Sequence, residues 1–177
     1  MRVPPIATAR LDLVSLSPDV LQASLSGDRA RAAALLDAAL PRDWPGWAEH
    51  VMRLRLEQLA NDPLSQPWLL RAIVLREPGR PIIGHIGFHA PPDARGAVEV
   101  GYAIRPEHRR RGYAYEAVQA LFDWATREHS VRRFIASVSP RNEPSLRLIE
   151  KLGFNQVGTR WDERDGEESV FELPVLA

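Results

Sequence analysis

A β-strand pattern, a basic turn and an amphipathic helix follow one another without interruption between residues 98 and 125. In VEVGYAI, residues 98–104, apolar residues alternate with others as in a strand that buries one face. The helix begins at about Gly112, and its apolar residues recur at i, i+3, i+4, i+7, i+8 and i+11, namely Ala114, Ala117, Val118, Leu121, Phe122 and Ala125. A stripe with this spacing is buried in a core, so the sequence predicts that the helix packs on a sheet.

Further strands and helices are predicted on both sides of this unit. Towards the N-terminus, ARLDLVSL alternates like a strand. SPDVLQASLSGDRARAAALLDAAL and GWAEHVMRLRLEQLAND are rich in helix formers, the first with Ser17 as N-cap and Pro18 at the first helical position. PWLLRAIVLRE, RPIIGHIGFHA and GAVEVGYAIRP have the pattern of an antiparallel meander. Towards the C-terminus, RRFIASVSP predicts a strand, NEPSLRLIEKLGF a helix between Asn142 and Gly153, and FNQVGTRW and SVFELPVL a hairpin joined through RDG.

This order of elements predicts one domain of the α+β class spanning residues 1–177. Its sheet is expected to be mixed and mostly antiparallel, with about seven strands and with helices on both faces. The length agrees, since single domains commonly have about 100 to 200 residues. Apolar residues make up 45% of the chain and charged residues 26%, the proportions of an ordinary globular protein.

The composition argues against several classes of protein. The 23 basic residues are balanced by 23 acidic ones, whereas a protein that coats nucleic acid carries a basic surplus. Because cysteine is absent, disulfides, thiolate metal sites and a cysteine nucleophile are excluded. No apolar run approaches the roughly 20 residues of a membrane span, and MRVPPIATARLDL lacks the apolar stretch of a signal peptide. A cytoplasmic location is therefore expected, with neither a membrane nor nucleic acid as partner.

The basic turn RPEHRRRGYAYEA, residues 105–117, allows three interpretations. At a helix N-terminus the backbone N–H groups lack partners, the helix dipole adds about half a positive charge, and Gly112 lets a ligand approach the backbone, so the turn suits a pyrophosphate. A solvated turn and a nucleic-acid patch are the alternatives. Consecutive arginines are weak evidence here, because 22 of the 23 basic residues are arginine and Lys151 is the only lysine.

Two residues of the preceding strand are also candidates. Gly101 interrupts an otherwise good strand, which often marks a bulge or a place where a ligand comes close. Glu99 is expected to point away from the face of Val98 and Val100. There its carboxylate is either a general base or an ordinary solvent-facing side chain.

Two segments together, EVGYAIRPEHRRRGYAYEAVQAL and SVSPRNEPSLRLIEKLGF, resemble the GNAT superfamily of acetyl-CoA-dependent N-acetyltransferases. The first matches the coenzyme A signature V/I-x-P-x-x-[QR]-x-x-G-x-[GA] through Ile104, Pro106, Arg109, Gly112 and Ala114. The second matches an N-x-x-[SA]…G-F block through Asn142, Ser145, Gly153 and Phe154. The order of elements fits from about residue 8 onward, and TARLDL and SLRLIEKLGF resemble more particularly the Rim-type branch of ribosomal-protein N-terminal acetyltransferases.

The resemblance implies an acetyl-CoA site within residues 97–154. Backbone amides of the turn would hold the pyrophosphate, and pantetheine would lie along the strand ending at Ile104, in the opening between this strand and the splayed parallel strand RFIASVS. Residues 18–62, the helical section, would form part of the acceptor side. The implied cofactor-binding residues are Ala103, Ile104, Arg109, Arg110, Arg111, Gly112, Tyr113, Ala114, Asn142 and Ser145.

The implied reaction is direct transfer of the acetyl group to a primary amine in a ternary complex, since an acetyl-cysteine intermediate is impossible without cysteine. Glu99 is the predicted base, acting through a water, and Ser145 is the predicted acid for the departing thiolate. Many relatives carry a tyrosine seven residues after the motif asparagine, but Ile149 stands there. Asn142 either contacts the cofactor or only caps its helix, and Ser145 either acts as an acid or only bonds the helix backbone.

No metal is predicted. His85 and His89 share one face of a strand, but four residues of strand separate them by roughly 13 Å, too far for one ion. Either histidine could instead line the acceptor pocket. The tryptophans that flank the helical section, Trp44, Trp47 and Trp68, are interpreted as core or loop anchors.

Three functions are weighed. The leading hypothesis is an acetyl-CoA-dependent N-acetyltransferase that acts on a peptide or protein N-terminus or on a small-molecule amine. The alternative favoured by Ile149 is a non-catalytic acyl-CoA-binding or sensing module on the same fold, and a nucleic-acid-binding domain is disfavoured by the zero net charge. The sequence leaves the amine acceptor open, and also the oligomeric state, for which a homodimer is one option.

Overall fold

Eight strands form a single sheet in the computed structural model, which describes residues 3–164 and 166–174. The strands are β1 (Ile6–Ala7), β2 (Leu11–Ser15), β3 (Arg71–Leu75), β4 (Ile82–Phe88), β5 (Ala97–Ile104), β6 (Arg133–Val138), β7 (Asn155–Asp162) and β8 (Gly166–Pro174). The helices are α1 (Pro18–Leu25), α2 (Arg29–Leu36), α3 (Glu49–Asn61), α4 (Tyr113–His129) and α5 (Glu143–Lys151). Along the sheet the order is β1-β2-β3-β4-β5-β6-β8-β7.

The predicted α+β class and the mixed sheet are confirmed: β5 and β6 are parallel, and the other neighbours are antiparallel. The sheet has one strand more than expected, because β1 contains two residues and is too short to show an alternating pattern. The segment predicted to be helical after Ser17 is divided into α1 and α2. Gly27, with a φ of 80°, lies between the two helices. Asp28 caps α2, because its side chain accepts a hydrogen bond from the Arg31 amide.

Sequence signals for helix ends are confirmed where they were specific. The side chain of Ser17 accepts a hydrogen bond from the Val20 amide, and Asn142 accepts one from the Ser145 amide. Gly153 follows α5 with a φ of 86°, a conformation that glycine adopts without strain. Asp165 of the predicted turn RDG and the last residues of the predicted strand SVFELPVL lie outside the described residues.

The sheet separates two apolar layers, so helices cover both of its faces as predicted. On one face α4 and α5 pack over Val98, Val100 and Phe134. On the other face α1, α2 and α3 pack over Leu70, Ala72, Val74 and Ile82, through side chains such as Leu21, Leu36 and Met52. Within the part of the chain that the structure describes, no helix combines the length and apolar character needed to cross a membrane.

The parallel strands β5 and β6 are paired over a short stretch and then separate. Their pairing covers Ala97 with Arg133, Val98 with Phe134 and Glu99 with Ile135. Beyond these positions β5 stays paired with β4 on its other side, and β6 stays paired with β8. A wedge therefore opens in the middle of the sheet, which confirms the predicted splay.

Candidate active site

A cleft of about 370 Å³ occupies the wedge between β5 and β6. Val100, Gly101 and Tyr102 form one wall, and residues 136–139 form the other. Asn142 and Ser145 at the start of α5 line the cleft as well, together with His89, Arg160 and Glu168. A groove of about 580 Å³ between β1 and α4 is larger, but it does not touch the splayed strands.

The basic turn between β5 and α4 presents free backbone donors. Gly112 has a φ of 79° and Arg110 a φ of 60°, so the chain turns sharply before α4. Among the described residues, no hydrogen-bond acceptor serves the amides of residues 110–115. Because these amides lie at the N-terminus of a 17-residue helix, they form a ready site for an anion.

Arg109 has a different place in this turn from its neighbours. Its amide donates to the Pro106 carbonyl at 3.3 Å, so this amide is not one of the free donors. Its guanidinium Nε donates to the carbonyl of Ile104 at 2.9 Å, which ties the turn to the end of β5. The side chain of Arg109 therefore fixes the backbone geometry of the turn.

The N-terminal segment braces the same turn from outside. Arg10 donates through Nη1 to the Arg111 carbonyl at 3.0 Å and through Nε to Glu116 at 2.7 Å, and its guanidinium lies 4.6 Å from the ring centre of Tyr113. Thr8 donates to the same carboxylate at 2.6 Å. Partial burial raises the pKa of Glu116, but the hydrogen bonds from Thr8 and Arg10 outweigh this and leave the pKa below its ordinary value. Glu116 thus stays ionised and keeps Arg10 in place.

We expect the substitution Arg10→Ala to weaken acetyl-CoA binding about tenfold, because the Arg111 carbonyl and the start of α4 lose their brace. Isothermal titration calorimetry measures the change in Kd. Arg31→Ala is the control: among the described residues the Arg31 side chain makes only an exposed contact with Asp19 at 3.4 Å, so its removal is expected to leave the Kd unchanged. Equal Kd values for both variants and the wild type would show that the brace has no role in binding.

Glu99 leaves the sheet on the face opposite to Val98 and Val100, as predicted. Arg160 of β7 holds its carboxylate, with Nη2 2.7 Å from Oε1 and Nη1 donating to Oε2 at 2.9 Å. Arg160 also donates through Nε to Glu168 at 2.9 Å. Burial lowers the pKa of Arg160, but the hydrogen bonds that it donates to Glu99 and Glu168 outweigh this and raise the pKa, so the guanidinium stays charged.

His89 reaches the cleft beside this ion pair. Its Nδ1 lies 3.6 Å from Glu99 Oε1, and a Cβ atom at Gly101 would stand 2.8 Å from its Nε2. Glycine at position 101 therefore makes room for the imidazole. Burial lowers the pKa of His89; Glu99 acts in the opposite direction, and Arg55 and Arg160 lower it further. The imidazole is consequently neutral at neutral pH.

Two hydroxyl groups of the cleft wall are buried without a partner. Among the described residues, neither Tyr102 Oη nor Ser137 Oγ makes a hydrogen bond of normal geometry. Burial raises the pKa of Tyr102, while the nearby Ser145 side chain acts in the opposite direction. Buried polar groups are nearly always satisfied, so unpaired hydroxyls in a cleft indicate a site for a polar ligand.

His85 is kept apart from the cleft. Its ring stacks on Trp47, with ring centres 4.7 Å apart, and burial lowers its pKa to about 4, with Arg55 adding to the effect. Trp47 is partly exposed and stacks on His85 from the loop before α3, whereas Trp44 and Trp68 are buried, in agreement with the interpretation of these residues as core or loop anchors. Within residues 3–164 and 166–174 no group of three or more histidine, aspartate or glutamate side chains could hold a metal ion.

Sequence reasoning missed three residues of this site. Arg10 and Arg160 were two arginines among 22, and nothing in their own neighbourhoods distinguishes them. Tyr102 was interpreted only as part of the apolar alternation of β5. A hydroxyl at an otherwise apolar position was the available signal, since a buried tyrosine hydroxyl needs a partner.

The sheet opens between the parallel strands β5 and β6, and the turn that follows β5 leads into the N-terminus of α4, a position suited to an anion. Comparison with protein families identifies the type of protein. The family described as "Acetyltransferase (GNAT) domain" matches residues 22–155, and the chain belongs to this family. The predicted resemblance is confirmed.

Two relatives in sequence are named as N-acetyltransferases. Residues of this chain are 39% identical over 82 positions to "Uncharacterized N-acetyltransferase YjdG" of Bacillus subtilis (strain 168), covering 46% of this chain and 49% of the relative. They are 32% identical over 120 positions to "Uncharacterized N-acetyltransferase p20" of Bacillus licheniformis, covering 68% and 67%. The chain thus spans about half the length of the first relative and two thirds of the second.

Solved structures with the same fold include two ribosomal-protein acetyltransferases. The ribosomal-protein-S5-alanine acetyltransferase of Vibrio fischeri has a TM-score of 0.65 at 19% identity, with 96% of each chain covered. RimL, a ribosomal L7/L12 α-N-protein acetyltransferase in complex with coenzyme A, has a TM-score of 0.66 at 17% identity, with 97% of this chain and 98% of that chain covered. At these identities the likeness is one of fold.

Proposed function

We propose that this protein is an N-acetyltransferase that binds acetyl-CoA in the wedge between β5 and β6 and transfers its acetyl group directly to a primary amine. One observation carries the proposal. Free amides at residues 110–115 follow the end of β5 that has separated from β6, the strand that forms one wall of the cleft, in a member of an acetyltransferase family. The proposed acetyl-CoA-binding core is residues 97–154.

The residues of the turn and cleft fit the parts of acetyl-CoA. Phosphate oxygens accept hydrogen bonds from the amides of Arg110, Arg111, Gly112, Tyr113 and Ala114, and the helix dipole adds to the attraction. Beyond Glu99 the side of β5 that faces β6 is unpaired, and the backbone groups of Val100 and Tyr102 offer hydrogen bonds there to the amide groups of pantetheine. Ala103 pairs instead with His85 of β4, and the Ile104 carbonyl is taken by Arg109. Asn142 and Ser145 border the same cleft.

Bound acetyl-CoA supplies an activated thioester, and residues of the chain move the protons. A hydroxyl group beside the sulfur delivers a proton to the departing thiolate. Ser145 keeps its proposed role in this step, together with Tyr102, whose raised pKa keeps the phenol protonated. Tyr102 thus supplies a phenol that position 149 does not, since Ile149 has no hydroxyl group and is fully buried in the core.

The acceptor side is proposed to lie on the face of the sheet covered by residues 18–62. Arg55 and Gln58 of α3 both donate to the His89 carbonyl at 3.1 Å, so this helix borders the end of the cleft where His89 lies. Peptide α-amines are the first acceptor class to test, because structures with this fold include enzymes named for acting on ribosomal proteins.

Acetyl-CoA at 100 times its Kd is expected to raise the thermal midpoint of unfolding by about 5 to 10 °C, since such binding stabilises by about 2.7 kcal/mol. Thiol release is then followed with peptides of different N-terminal residues, amino acids, polyamines and aminoglycosides. An unchanged midpoint would overturn the proposal. A shifted midpoint without thiol release from any acceptor would support the non-catalytic acyl-CoA module instead.

A further inference from the structure

The side chains of Glu99 and His89 have unequal access to the cleft. His89 and Arg160 line it, whereas Glu99 lies behind them and does not contribute to its wall. The exposed fractions agree, at 44% for the His89 side chain and 19% for that of Glu99. An amine in the cleft therefore meets the imidazole before it meets the carboxylate.

Glu99 is poorly placed to accept a proton from substrate. Its Oε2 accepts a hydrogen bond from Arg160 Nη1 at 2.9 Å, and its buried Oε1 lies 2.7 Å from Arg160 Nη2 without the geometry of a hydrogen bond. A proton on the carboxylate would weaken this paired, charge-assisted contact. The arrangement therefore suits a group that stays ionised and acts on its neighbours.

His89 is held by its backbone and has one free nitrogen. Two donors from α3, Arg55 and Gln58, fix its carbonyl, and Gly101 leaves space for its ring. Glu99 faces Nδ1 and favours the tautomer that carries its proton there, so the lone pair is on Nε2. Among the described residues, no side chain or amide donates a hydrogen bond to Nε2. The 3.6 Å distance between Nδ1 and Glu99 Oε1 is longer than a hydrogen bond, and catalytic contacts of this kind are often long before substrate binds and tighten in the complex.

Charged groups on three other elements face this imidazole. Glu99 of β5 and Asp162 of β7 favour its protonated form, and Arg55 of α3 and Arg160 of β7 disfavour it. Together with burial, the arginines leave the pKa lowered, and the imidazole is ready to accept a proton at neutral pH.

From this geometry we infer that His89 is the general base of the proposed acetyl transfer and that Glu99 and Arg160 are positioning residues. The inference rests on the proposed function. As the amine nitrogen forms its bond to the thioester carbonyl carbon and the C–S bond breaks, the proton lost by nitrogen passes to Nε2. The thiolate gains a proton from the hydroxyl pair, which is refilled from solvent, and Nε2 returns its proton to solvent. Overall one N–H bond is replaced by one S–H bond.

The test compares His89→Gln, Glu99→Gln and Arg160→Gln with the wild type, using acetyl-CoA and an equimolar pool of octapeptides with each of the 20 N-terminal residues. His89→Gln is expected to lower kcat about 100-fold with an unchanged Kd for acetyl-CoA, because a peptide α-amine with a pKa of about 8 is largely protonated at pH 7. His50→Gln, an exposed histidine on α3, is the matched control. The thermal midpoint of each variant reports its folding.

The pH profile separates a base from a structural residue. Activity falls as pH drops through the pKa of His89. Removing the negative charge in Glu99→Gln moves this acidic limb of kcat/KM to lower pH, and removing the positive charge in Arg160→Gln moves it to higher pH, each by about one unit. The imidazole signals of ¹⁵N-labelled protein without substrate, assigned with His89→Gln, are expected to shift in the same two directions.

Each outcome decides between the alternatives. A His89→Gln variant that keeps most of its kcat overturns the inference, and so does a 100-fold loss in Glu99→Gln alone, which would make Glu99 the base. Imidazole signals that titrate identically in Glu99→Gln and Arg160→Gln also overturn it. Wild-type protein that releases no thiol from the peptide pool or from any other acceptor of the panel overturns the proposed activity, and the inference with it.

Discussion

Replacing Gly112 by valine is expected to weaken acetyl-CoA binding about 100-fold or more while the protein remains folded. Gly112 has a φ of 79°, where a β-branched residue is strained, so the turn will relax and its amides will rotate. A hydrogen bond to a charged group contributes about 1.5 to 3 kcal/mol, and the loss of two corresponds to a factor of about 100 or more in Kd. Isothermal titration calorimetry with acetyl-CoA measures this loss.

Two control variants separate the contribution of this turn from general effects. Gly96 has a similar φ of 71° at the opposite end of β5, and a Cβ there would meet no atom within 4 Å, so Gly96→Val imposes a similar strain away from the cleft. Arg110→Ala removes an exposed cation but keeps its amide, and we expect its Kd to change by only about threefold. If Arg110→Ala were to weaken binding more than Gly112→Val, side-chain charge rather than backbone geometry would hold the phosphates.

This turn gains its shape from contacts on both sides of the chain. Inside, Arg109 bonds the end of β5, and outside, Arg10 bonds the Arg111 carbonyl and Glu116. Two arginine side chains thus fix a loop whose own contribution to binding is made by amides. The position of the free donors is set before any ligand arrives, which avoids the cost of ordering them on binding.

Local signals in the sequence were sufficient to predict the fold and the position of the turn. The stripe of α4, the caps Ser17 and Asn142, and the alternation of β5 each depend on residues a few positions apart. The splay between β5 and β6 was expected only through the family resemblance, because no local pattern states where two parallel strands separate. The two strands are paired at three positions only. Beyond these, β5 is held by β4 and β6 is held by β8.

The charged part of the site could not be predicted in the same way. Glu99 and Arg160 are 61 residues apart, and Arg10 and Glu116 are 106 residues apart. Charged side chains are frequent, and nothing local says which of them become partners after folding. Glu99 was correctly placed on its strand. Its contacts with Arg160 and His89 form only when β4, β5 and β7 pack together.

We expect Phe134→Ala to lower the free energy of unfolding by about 3 to 5 kcal/mol, the usual cost of removing a buried phenylalanine ring. Phe134 is fully buried on β6, and its ring stacks on that of Phe122 of α4 with centres 4.0 Å apart. It also lies 6.2 Å from the ring of Phe88, so it joins α4 to two strands. Because domains are stable by only about 5 to 15 kcal/mol, urea unfolding will show a large fall in the midpoint with an unchanged m value.

The position of Phe134 makes this loss informative about the cleft as well. Its partner across the parallel pair is Val98, one position before the pairing ends, so the aromatic cluster closes the base of the wedge. Trp161→Ala is the control, since this side chain is 77% exposed and its removal is expected to change the free energy of unfolding by no more than about 0.5 kcal/mol. A loss below about 1 kcal/mol in Phe134→Ala would mean that the surrounding rings of Phe88 and Phe122 collapse into the vacated space. In that case the base of the wedge would move, and the affinity for acetyl-CoA would fall. If the base is rigid, the substitution leaves a cavity, the free energy of unfolding falls by the full amount, and the Kd is almost unchanged at temperatures where the variant is folded.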